Sequence, residues 1–283
     1  MKRRSKIWPG VLTAGILLVT LAFAAVQDPP DEEKIWESFK AWILTGPPQP
    51  TLKDYGEKLA KDGLPKEEIQ QQLETIRRLF KDQPERGVEL SYDQFYSKPL
   101  TGDPEKDGFT STPSVFVMES VKDLEPGKAL DVGAGQGRNA VWLAQKGWDV
   151  TGIDISGLGL AAAEANAEKV GTRIATVKTT YQDFDFGKER WDLIVMILSW
   201  APVSDPDFVS RLNASLRPGG IVVFEHVLET GEQSFPDYVH GLAPNALLAH
   251  FKNFHIQKYE EGKWLGDWGG PPADLVRMIA RKN

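Results

Sequence analysis

The 283-residue sequence predicts an α/β fold in which a helical extension precedes a doubly wound, mostly parallel sheet of seven strands. From residue 126 onwards, short apolar runs alternate with helical patterns, which indicates strands joined by helical crossovers. The run at 191–198 is almost entirely apolar, as expected of a strand that is buried on both faces of such a sheet. Before residue 82 the apolar spacing is helical instead.

Seven strands and four connecting helices account for the second half of the sequence. The strands are predicted at 128–132, 149–154, 174–179, 191–198, 221–227, 255–260 and 275–280. The helices are predicted at 139–146, 158–170, 207–216 and 245–251. The Pro218-Gly219-Gly220 run ends the third helix, because proline and glycine both interrupt helices.

Residues 1–27 have the pattern of a targeting segment rather than of folded structure. Basic residues at 2–6 precede an uncharged apolar run at 11–26, and the run ends in a small-residue cleavage pattern at 22–24. A cleaved signal peptide, an uncleaved membrane anchor and a buried helix remain open. The first two place the body outside the cytoplasm, so we expect an exported or membrane-anchored protein that touches the membrane only through this segment. A body that faces the cytoplasm is the alternative.

Residues 28–90 are predicted to form a helical extension, and residues 91–283 the main domain. An amphipathic helix is predicted at 31–44, and a helical hairpin at 51–81 with Thr51 as its first N-cap. The hairpin is either a lid or partner surface, or an appendage that only packs against the domain.

Composition excludes several classes of function. The chain has a formal net charge of -7, and an acidic body is a poor match for phosphate backbones. We therefore expect no nucleic-acid partner. The absence of cysteine excludes disulfides and thiol nucleophiles, and the four histidines show no metal-ligand spacing. We expect no metal site, and the sequence leaves the oligomeric state open.

A glycine-rich loop follows the first predicted strand, with glycines at 133, 135 and 137. Glycines allow a sharp turn and a close approach to a ligand, and ligands bind at the carboxyl ends of the strands in such sheets. A dinucleotide fingerprint requires a glycine at its sixth position, which is Arg138 here. An NAD or nucleotide-sugar enzyme is therefore disfavoured. Asp131, two residues before the first glycine, has no counterpart in that fingerprint.

Further features follow in a fixed order. Asp154 ends the second predicted strand, where one carboxylate can accept hydrogen bonds from two ribose hydroxyls. Tyr181-Gln182-Asp183-Phe184 follows the third strand, Trp191-Asp192-Leu193 opens the fourth, and Leu216-Arg217-Pro218-Gly219-Gly220 precedes the fifth. Together with the glycine loop, these features resemble class I S-adenosylmethionine-dependent methyltransferases over roughly residues 126–283. The run 126–140 is similar to the small-molecule branch of tellurite-resistance and thiopurine-type enzymes.

The resemblance implies a Rossmann-like methyltransferase sheet, S-adenosylmethionine as cofactor and a small or medium-sized acceptor. It assigns ribose and adenine to Asp154, Ile155, Asp183 and Phe184. It assigns the methionine end of the cofactor to Asp131, Gly133, Ala134, Gly135, Gly137, Leu198 and Ser199. Upstream, Tyr92 and Tyr96 either cap the sulfonium with an aromatic face or simply dock the preceding helix.

Methyl transfer from a sulfonium mainly requires alignment of the nucleophile, and a base is needed only for a protonated acceptor. Glu225 and His226 are the catalytic candidates, and Asp237 and His240 lie in the following loop. A second hypothesis is a cofactor-binding or pseudo-enzymatic envelope module in which the hairpin binds a partner.

Overall fold

The computed structural model describes residues 31–46, 50–98, 101–107, 109–229, 241–266 and 271–283. The predicted targeting segment at 1–27 and the candidates Asp237 and His240 lie outside these residues. Within the described ranges, no helix is long and apolar enough to cross a membrane. The same ranges contain no cluster of three or more potential metal ligands.

In the part of the chain that the structure describes, six helices precede the sheet. They are α1 (Glu32–Thr45), α2 (Leu52–Lys61), α3 (Lys66–Asp82), α4 (Pro84–Tyr96), α5 (Pro104–Asp107) and α6 (Val115–Val121). The predicted helical hairpin is confirmed as α2 and α3. Thr51 begins α2 as the predicted N-cap: its side chain accepts from the backbone N–H of Asp54, and the Asp54 side chain accepts from the backbone N–H of Thr51.

The first four helices share an apolar core of their own. It is built around the aromatic rings of α1, with Phe39 lying 5.1 Å from Tyr55 and 5.9 Å from Phe80 between ring centroids. Its buried members are Ile35, Trp36, Phe39, Ile43, Tyr55, Leu59, Ile76, Leu79 and Leu90. The helical extension therefore buries apolar surface in a cluster distinct from those around the sheet.

The predicted seven-stranded sheet is confirmed. Its strands are β1 (Lys128–Val132), β2 (Asp149–Asp154), β3 (Ala175–Lys178), β4 (Trp191–Ile197), β5 (Leu216–Val227), β6 (His255–Trp264) and β7 (Ala273–Arg281). They lie in the order β3-β2-β1-β4-β5-β7-β6. The first five run parallel, and β7 is antiparallel to both its neighbours. The chain direction across the sheet reverses between β1 and β4, and ligands bind at such a switch point.

Helices follow the strands as predicted: α7 (Arg138–Gln145), α8 (Gly157–Lys169), α9 (Pro206–Ser215) and α10 (Ala246–His250). Alternate residues of β4 enter two different cores. Ile194 and Met196 belong to one, while Leu193 and Val195 belong to the other. The continuous apolar run in the sequence thus reflects burial on both faces of the sheet.

The structure differs from the prediction at several element boundaries. β5 begins at Leu216, five residues before the predicted start, because the Pro218-Gly219-Gly220 run forms an irregularity within the pairing with β4. Helix α4 has no counterpart in the prediction. Its first residue is a proline and Gly87 follows in its first turn, a composition that is typical of a loop. Proline is nevertheless well tolerated at the first position of a helix.

Candidate functional site

A tight glycine loop connects β1 to α7. Gly133, Gly135 and Gly137 all adopt left-handed φ angles, of 75°, 51° and 80°. The N–H groups of Gly133 and Ala134 donate to the carbonyl of Ile153 at 2.9 and 3.0 Å, which ties the loop to β2. Other residue types rarely adopt this backbone conformation, so the turn itself requires the three glycines.

Packing around the loop also excludes a side chain. A Cβ atom at Gly135 would lie 2.5 Å from the Tyr96 Oη, and one at Gly137 would lie 2.7 Å from the Ala163 Cβ. The loop is therefore held between α4, which carries Tyr96, and α8, which carries Ala163.

Two buried carboxylates lie near the carboxyl ends of the neighbouring strands β1 and β2. Asp131 Oδ2 accepts from the Ala140 N–H at 3.0 Å. Asp154 Oδ2 accepts from the Gly135 N–H at 2.9 Å, and its Oδ1 accepts from the Ser156 N–H at 2.8 Å. Backbone donors thus fix the orientation of both side chains beside the loop.

Burial perturbs the ionisation of these groups. It raises the pKa of Asp131 to about 7, although the nearby Arg138 guanidinium and the Ala140 N–H act in the opposite direction. Burial also raises the pKa of Asp154, against the hydrogen bonds from Ser156 and Gly135. A ligand that brings a cation next to Asp131 would therefore favour its carboxylate form.

Two tyrosines of α4 face the same region. The rings of Tyr92 and Tyr96 are stacked, with centroids 6.2 Å apart, and both line the cavity described below. Burial, followed by the charge of Asp154, raises the pKa of Tyr96 well above its ordinary range. Its hydroxyl therefore stays protonated at all physiological pH values.

The segment after β4 has an unusual backbone. Leu198 and Trp200 adopt positive φ angles of 53° and 55° on either side of Ser199. Left-handed conformations in bulky residues are costly and are concentrated at functional sites. The Tyr181 hydroxyl donates to the Ser199 carbonyl, which helps to hold this conformation.

Ser199 also carries an orphaned polar group. Its Oγ atom is buried and has no hydrogen-bond partner among the described residues. The side chain lies against the glycine loop, because a Cβ atom at Gly133 would be 2.6 Å from the Ser199 Cβ. A buried hydroxyl without a partner is unfavourable in the free protein and is suited to a polar ligand at this point.

A cavity of about 1680 Å³ opens at this edge of the sheet. The glycine loop forms its floor together with Ile197 and Leu198, and aromatic side chains form much of the remaining wall. These aromatic residues are Phe80, Tyr92, Phe95, Tyr96, Phe109, Trp142 and Trp200. The volume exceeds the roughly 300–1,000 Å³ of ordinary small-molecule pockets.

The two catalytic candidates on β5 point in different directions. His226 lines the cavity, where its ring lies 4.6 Å from that of Trp200. Glu225 is not part of the lining and forms an ion pair with Arg277 of β7. Burial raises the pKa of Glu225, and the charge of Arg277 opposes that rise. The structure therefore brings His226, and not Glu225, to the cavity.

All four residues assigned to the nucleoside, Asp154 included, lie outside the cavity lining, as do Asp131 and Ser199. Asp183 is exposed and accepts from the Thr180 hydroxyl at 2.7 Å. Phe184 is buried against Phe186, with ring centroids 5.0 Å apart. Ile155 is half-buried just beyond the end of β2.

Sequence reasoning assigned no role to two residues near the loop. Arg138 lines the cavity, and its Nη1 donates to the Thr112 carbonyl at 3.2 Å. Asp93 is buried between α4 and α8. In the sequence, Arg138 indicates only a departure from the dinucleotide fingerprint. Asp93 follows Tyr92 in a run with several aromatic residues, and nothing in that run indicates a role for its carboxylate.

Comparison with known proteins finds a family match in the central part of the chain. Residues 129–220, about a third of the chain, match the family model of a methyltransferase domain. The match begins in β1 and ends in β5, so it includes the glycine loop, both buried carboxylates and the strained segment after β4.

Curated relatives extend the likeness beyond the residues that this family model matches. Hemagglutinin 1 of Eikenella corrodens is 29% identical over 191 residues, which are 62% of this chain and 61% of the relative. The ubiquinone biosynthesis O-methyltransferase of Aliivibrio fischeri is 34% identical over 111 residues, 38% of this chain and 47% of the relative. The probable S-adenosyl-L-methionine-dependent methyltransferase TehB of Haemophilus influenzae is 27% identical over 151 residues, 51% of this chain and 52% of the relative. The chain thus spans about half to three fifths of the length of these relatives.

The solved structure of TehB from Haemophilus influenzae shares the fold of this part of the chain. It superposes with a TM-score of 0.52 at 24% identity and covers 59% of this chain and 61% of TehB. At this identity the superposition supports the sheet and its flanking helices.

Proposed function

We propose that the chain is an S-adenosylmethionine-dependent methyltransferase that acts on a small or medium-sized acceptor. One observation carries the proposal: the glycine loop lies between two buried carboxylates at the switch point of the sheet and lines a cavity of about 1680 Å³. TehB, which is similar over half of the chain and is named a probable S-adenosyl-L-methionine-dependent methyltransferase, supports the same cofactor.

The residues present fit this cofactor. The buried Ser199 Oγ without a partner offers a hydrogen bond to a polar ligand, and the glycine loop lines the cavity. Asp154 would hold the ribose hydroxyls, and Asp131 would hold the cationic amino group of the methionine end. Leu198 and Ser199 would lie beneath the methionine chain.

The cofactor, when bound, supplies a methyl group already activated as a sulfonium. The chain then has to orient this group and exclude water from it. The stacked Tyr92 and Tyr96 rings provide aromatic surface beside the loop, and an aromatic face stabilises a cation by roughly 0.5–2 kcal/mol. Alignment of a nucleophile with the methyl group accounts for roughly 7–11 kcal/mol of the barrier in well-oriented reactions.

His226 is the residue that we propose to accept a proton from the acceptor. It lines the cavity beside Trp200, whereas the Glu225 carboxylate is engaged by Arg277. A neutral imidazole is a suitable base near pH 7 for a hydroxyl or amine acceptor. The aromatic lining of the cavity favours an acceptor with an apolar body.

Calorimetric titration of the full chain with S-adenosylhomocysteine tests the proposal. We expect micromolar binding that is lost in Asp154→Ala, because Asp154 would hold the ribose. A folded wild-type chain that does not bind this ligand would overturn the enzymatic proposal and favour the envelope module with its partner-binding helical hairpin.

We further propose that residues 1–27 export or anchor the chain. The basic start and the apolar run support this location. A reporter enzyme that is active only outside the cytoplasm, fused after Asn283, is expected to be active. A signal only from a cytoplasmic reporter would instead place the body in the cytoplasm.

A further inference from the structure

Asp93 connects three elements although it lies outside the cavity lining. It is only 1% exposed. Its Oδ2 pairs with Lys40 Nζ of α1 at 2.6 Å. Its Oδ1 accepts from the Ser156 hydroxyl at 2.5 Å and from the Leu158 N–H at 3.2 Å, in the first turn of α8. Such a buried carboxylate is fully engaged by a cation and by hydrogen-bond donors.

The contacts continue from Ser156 to the carboxylate assigned to the ribose. The Ser156 N–H donates to Asp154 Oδ1 at 2.8 Å, and the Gly135 N–H donates to Asp154 Oδ2 at 2.9 Å. The Ser156 hydroxyl, which donates to Asp93, also accepts from the Gly159 N–H at 3.0 Å. The side chain of Ser156 is therefore fixed on one side by α8 and on the other by α4.

The pKa shifts of Asp93 and Lys40 agree with the ion pair between them. Burial alone would raise the pKa of Asp93, but the contacts with Lys40 and Ser156 outweigh it and leave the pKa below its ordinary value. Burial would lower the pKa of Lys40, and its contacts with Asp93 and Glu89 reverse that effect. Both groups thus stay charged at neutral pH.

We infer that Asp93 is a positioning residue of the cofactor site, which acts through Ser156 to orient the Asp154 carboxylate toward the ribose hydroxyls. The inference rests on the proposed function. It makes the helical extension part of the binding site, because Asp93 lies on α4 and its charge is balanced by Lys40 on α1.

A ligand comparison separates this role from simple support of the fold. The full chain and its Asp93→Ala variant are each titrated with S-adenosylhomocysteine and with its 2′-deoxy analogue. We expect Asp93→Ala to lower the affinity for S-adenosylhomocysteine about tenfold and the affinity for the 2′-deoxy analogue less than about twofold. The difference is roughly what a charge-assisted hydrogen bond to the 2′-hydroxyl contributes. The conservative Asp93→Asn, which keeps an acceptor for Ser156, should recover part of the loss.

Glu33→Gln provides the matched control. Glu33 of α1 pairs with Arg86 of α4 at 2.7 Å, so the variant removes another ion pair between α1 and α4 and leaves Lys40 and Ser156 untouched. It should leave both affinities unchanged. Equal weakening of both ligands by Asp93→Ala, or no weakening, would overturn the inference. If Asp93→Ala does not fold, Ser156→Ala is titrated with the same two ligands and judged in the same way. A wild-type chain that binds neither ligand would overturn the proposed function itself.

Discussion

The ring of His226 stands 4.6 Å from the ring of Trp200, at an interplanar angle of 80°. His226 lies at the end of β5, and Trp200 lies in the strained segment that follows β4. The edge-to-face contact fixes the imidazole at the cavity wall, because aromatic pairs favour this geometry.

His226→Gln should therefore lower methyl transfer at pH 7 and leave cofactor binding intact. We expect a loss of about 10²–10⁴ in kcat with an acceptor of the hydroxyl or amine class, which is the usual contribution of a general base. Transfer of labelled methyl groups to acceptors from a small-molecule screen measures the effect. The exposed His255 supplies the control, since His255→Gln should retain full activity. Equal activity of both variants would exclude His226 as the base.

Ser199→Ala should separate stability from binding. Removal of a buried hydroxyl that has no partner should leave the free energy of unfolding unchanged or raise it by about 1 kcal/mol. Affinity for S-adenosylhomocysteine should fall about fivefold, because the ligand loses a hydrogen bond. Chemical denaturation and calorimetry measure the two quantities.

Ser215→Ala is the matched control for Ser199. The Ser215 hydroxyl is also buried, but it donates to the Leu212 carbonyl at 2.9 Å. Its removal should cost about 1 kcal/mol of stability without any change in affinity. If Ser199→Ala behaves in the same way, its hydroxyl does not serve the ligand.

Binding of S-adenosylhomocysteine should depend on pH through Asp131. Burial raises the pKa of this carboxyl to about 7, so the free site is protonated below that pH. The cationic amino group of the ligand pairs with the carboxylate form, and the affinity should therefore fall as the pH is lowered from 8 to 6 by up to about tenfold per unit. Calorimetry in buffers of different ionisation enthalpy should detect proton release on binding at pH 6.5. Asp131→Asn should abolish both effects, and an unchanged pH profile in that variant would contradict the assignment.

The same carboxyl affects the stability of the free chain. Its folded pKa lies above the unfolded value near 3.8. The folded state therefore binds more protons between these two values, and this group makes the free chain less stable as pH rises from about 4 to 7. Asp131→Asn should remove that part of the slope in denaturation experiments across this range.

Two separable effects should destabilise the folded state of the Gly135→Ala variant. The residue would have to adopt a φ of 51°, and its Cβ would lie 2.5 Å from the Tyr96 Oη. Gly171→Ala isolates the first effect, because Gly171 has a φ of 72° with no atom within 4 Å of an added Cβ. We expect about 1 kcal/mol of destabilisation at Gly171 and a larger loss at Gly135.

Tyr96→Phe then tests the contact directly. The double variant Gly135→Ala/Tyr96→Phe should be more stable than the sum of the two single changes predicts, because the clashing hydroxyl is gone. Additive free energies of unfolding would show that Tyr96 does not press on the loop.

The positions of the strands along the chain and the glycine loop were predictable because both depend on local sequence. Apolar periodicity locates each strand, and the left-handed turn restricts its residues to glycine at 133, 135 and 137. Strand periodicity could also have distinguished the two catalytic candidates. Glu225 and His226 are neighbours on one strand, so their side chains point to opposite faces and only one of them can reach the cavity.

Other parts of the site depend on contacts between distant segments. The role of Asp93 comes from Ser156, 63 residues away, and its charge is balanced by Lys40 on another helix. The Ser199 hydroxyl is buried without a hydrogen-bond partner among the described residues, and this depends on which distant segments pack around it. No pattern along the chain records either relationship. Helix α4 was missed for a different reason, since a proline at its start and a glycine in its first turn resemble a loop.

The separate apolar core of α1–α4 has a consequence for the evolution of specificity. One side of the cavity is built by residues of this unit, such as Phe80, Val88 and Tyr92, while the cofactor loop belongs to the sheet. Substitutions on that side can reshape the space open to an acceptor without repacking the cores around the sheet. Changes at Phe80 or Val88 can therefore alter this wall of the cavity while the glycine loop and the contact between Asp93 and Ser156 are inherited intact.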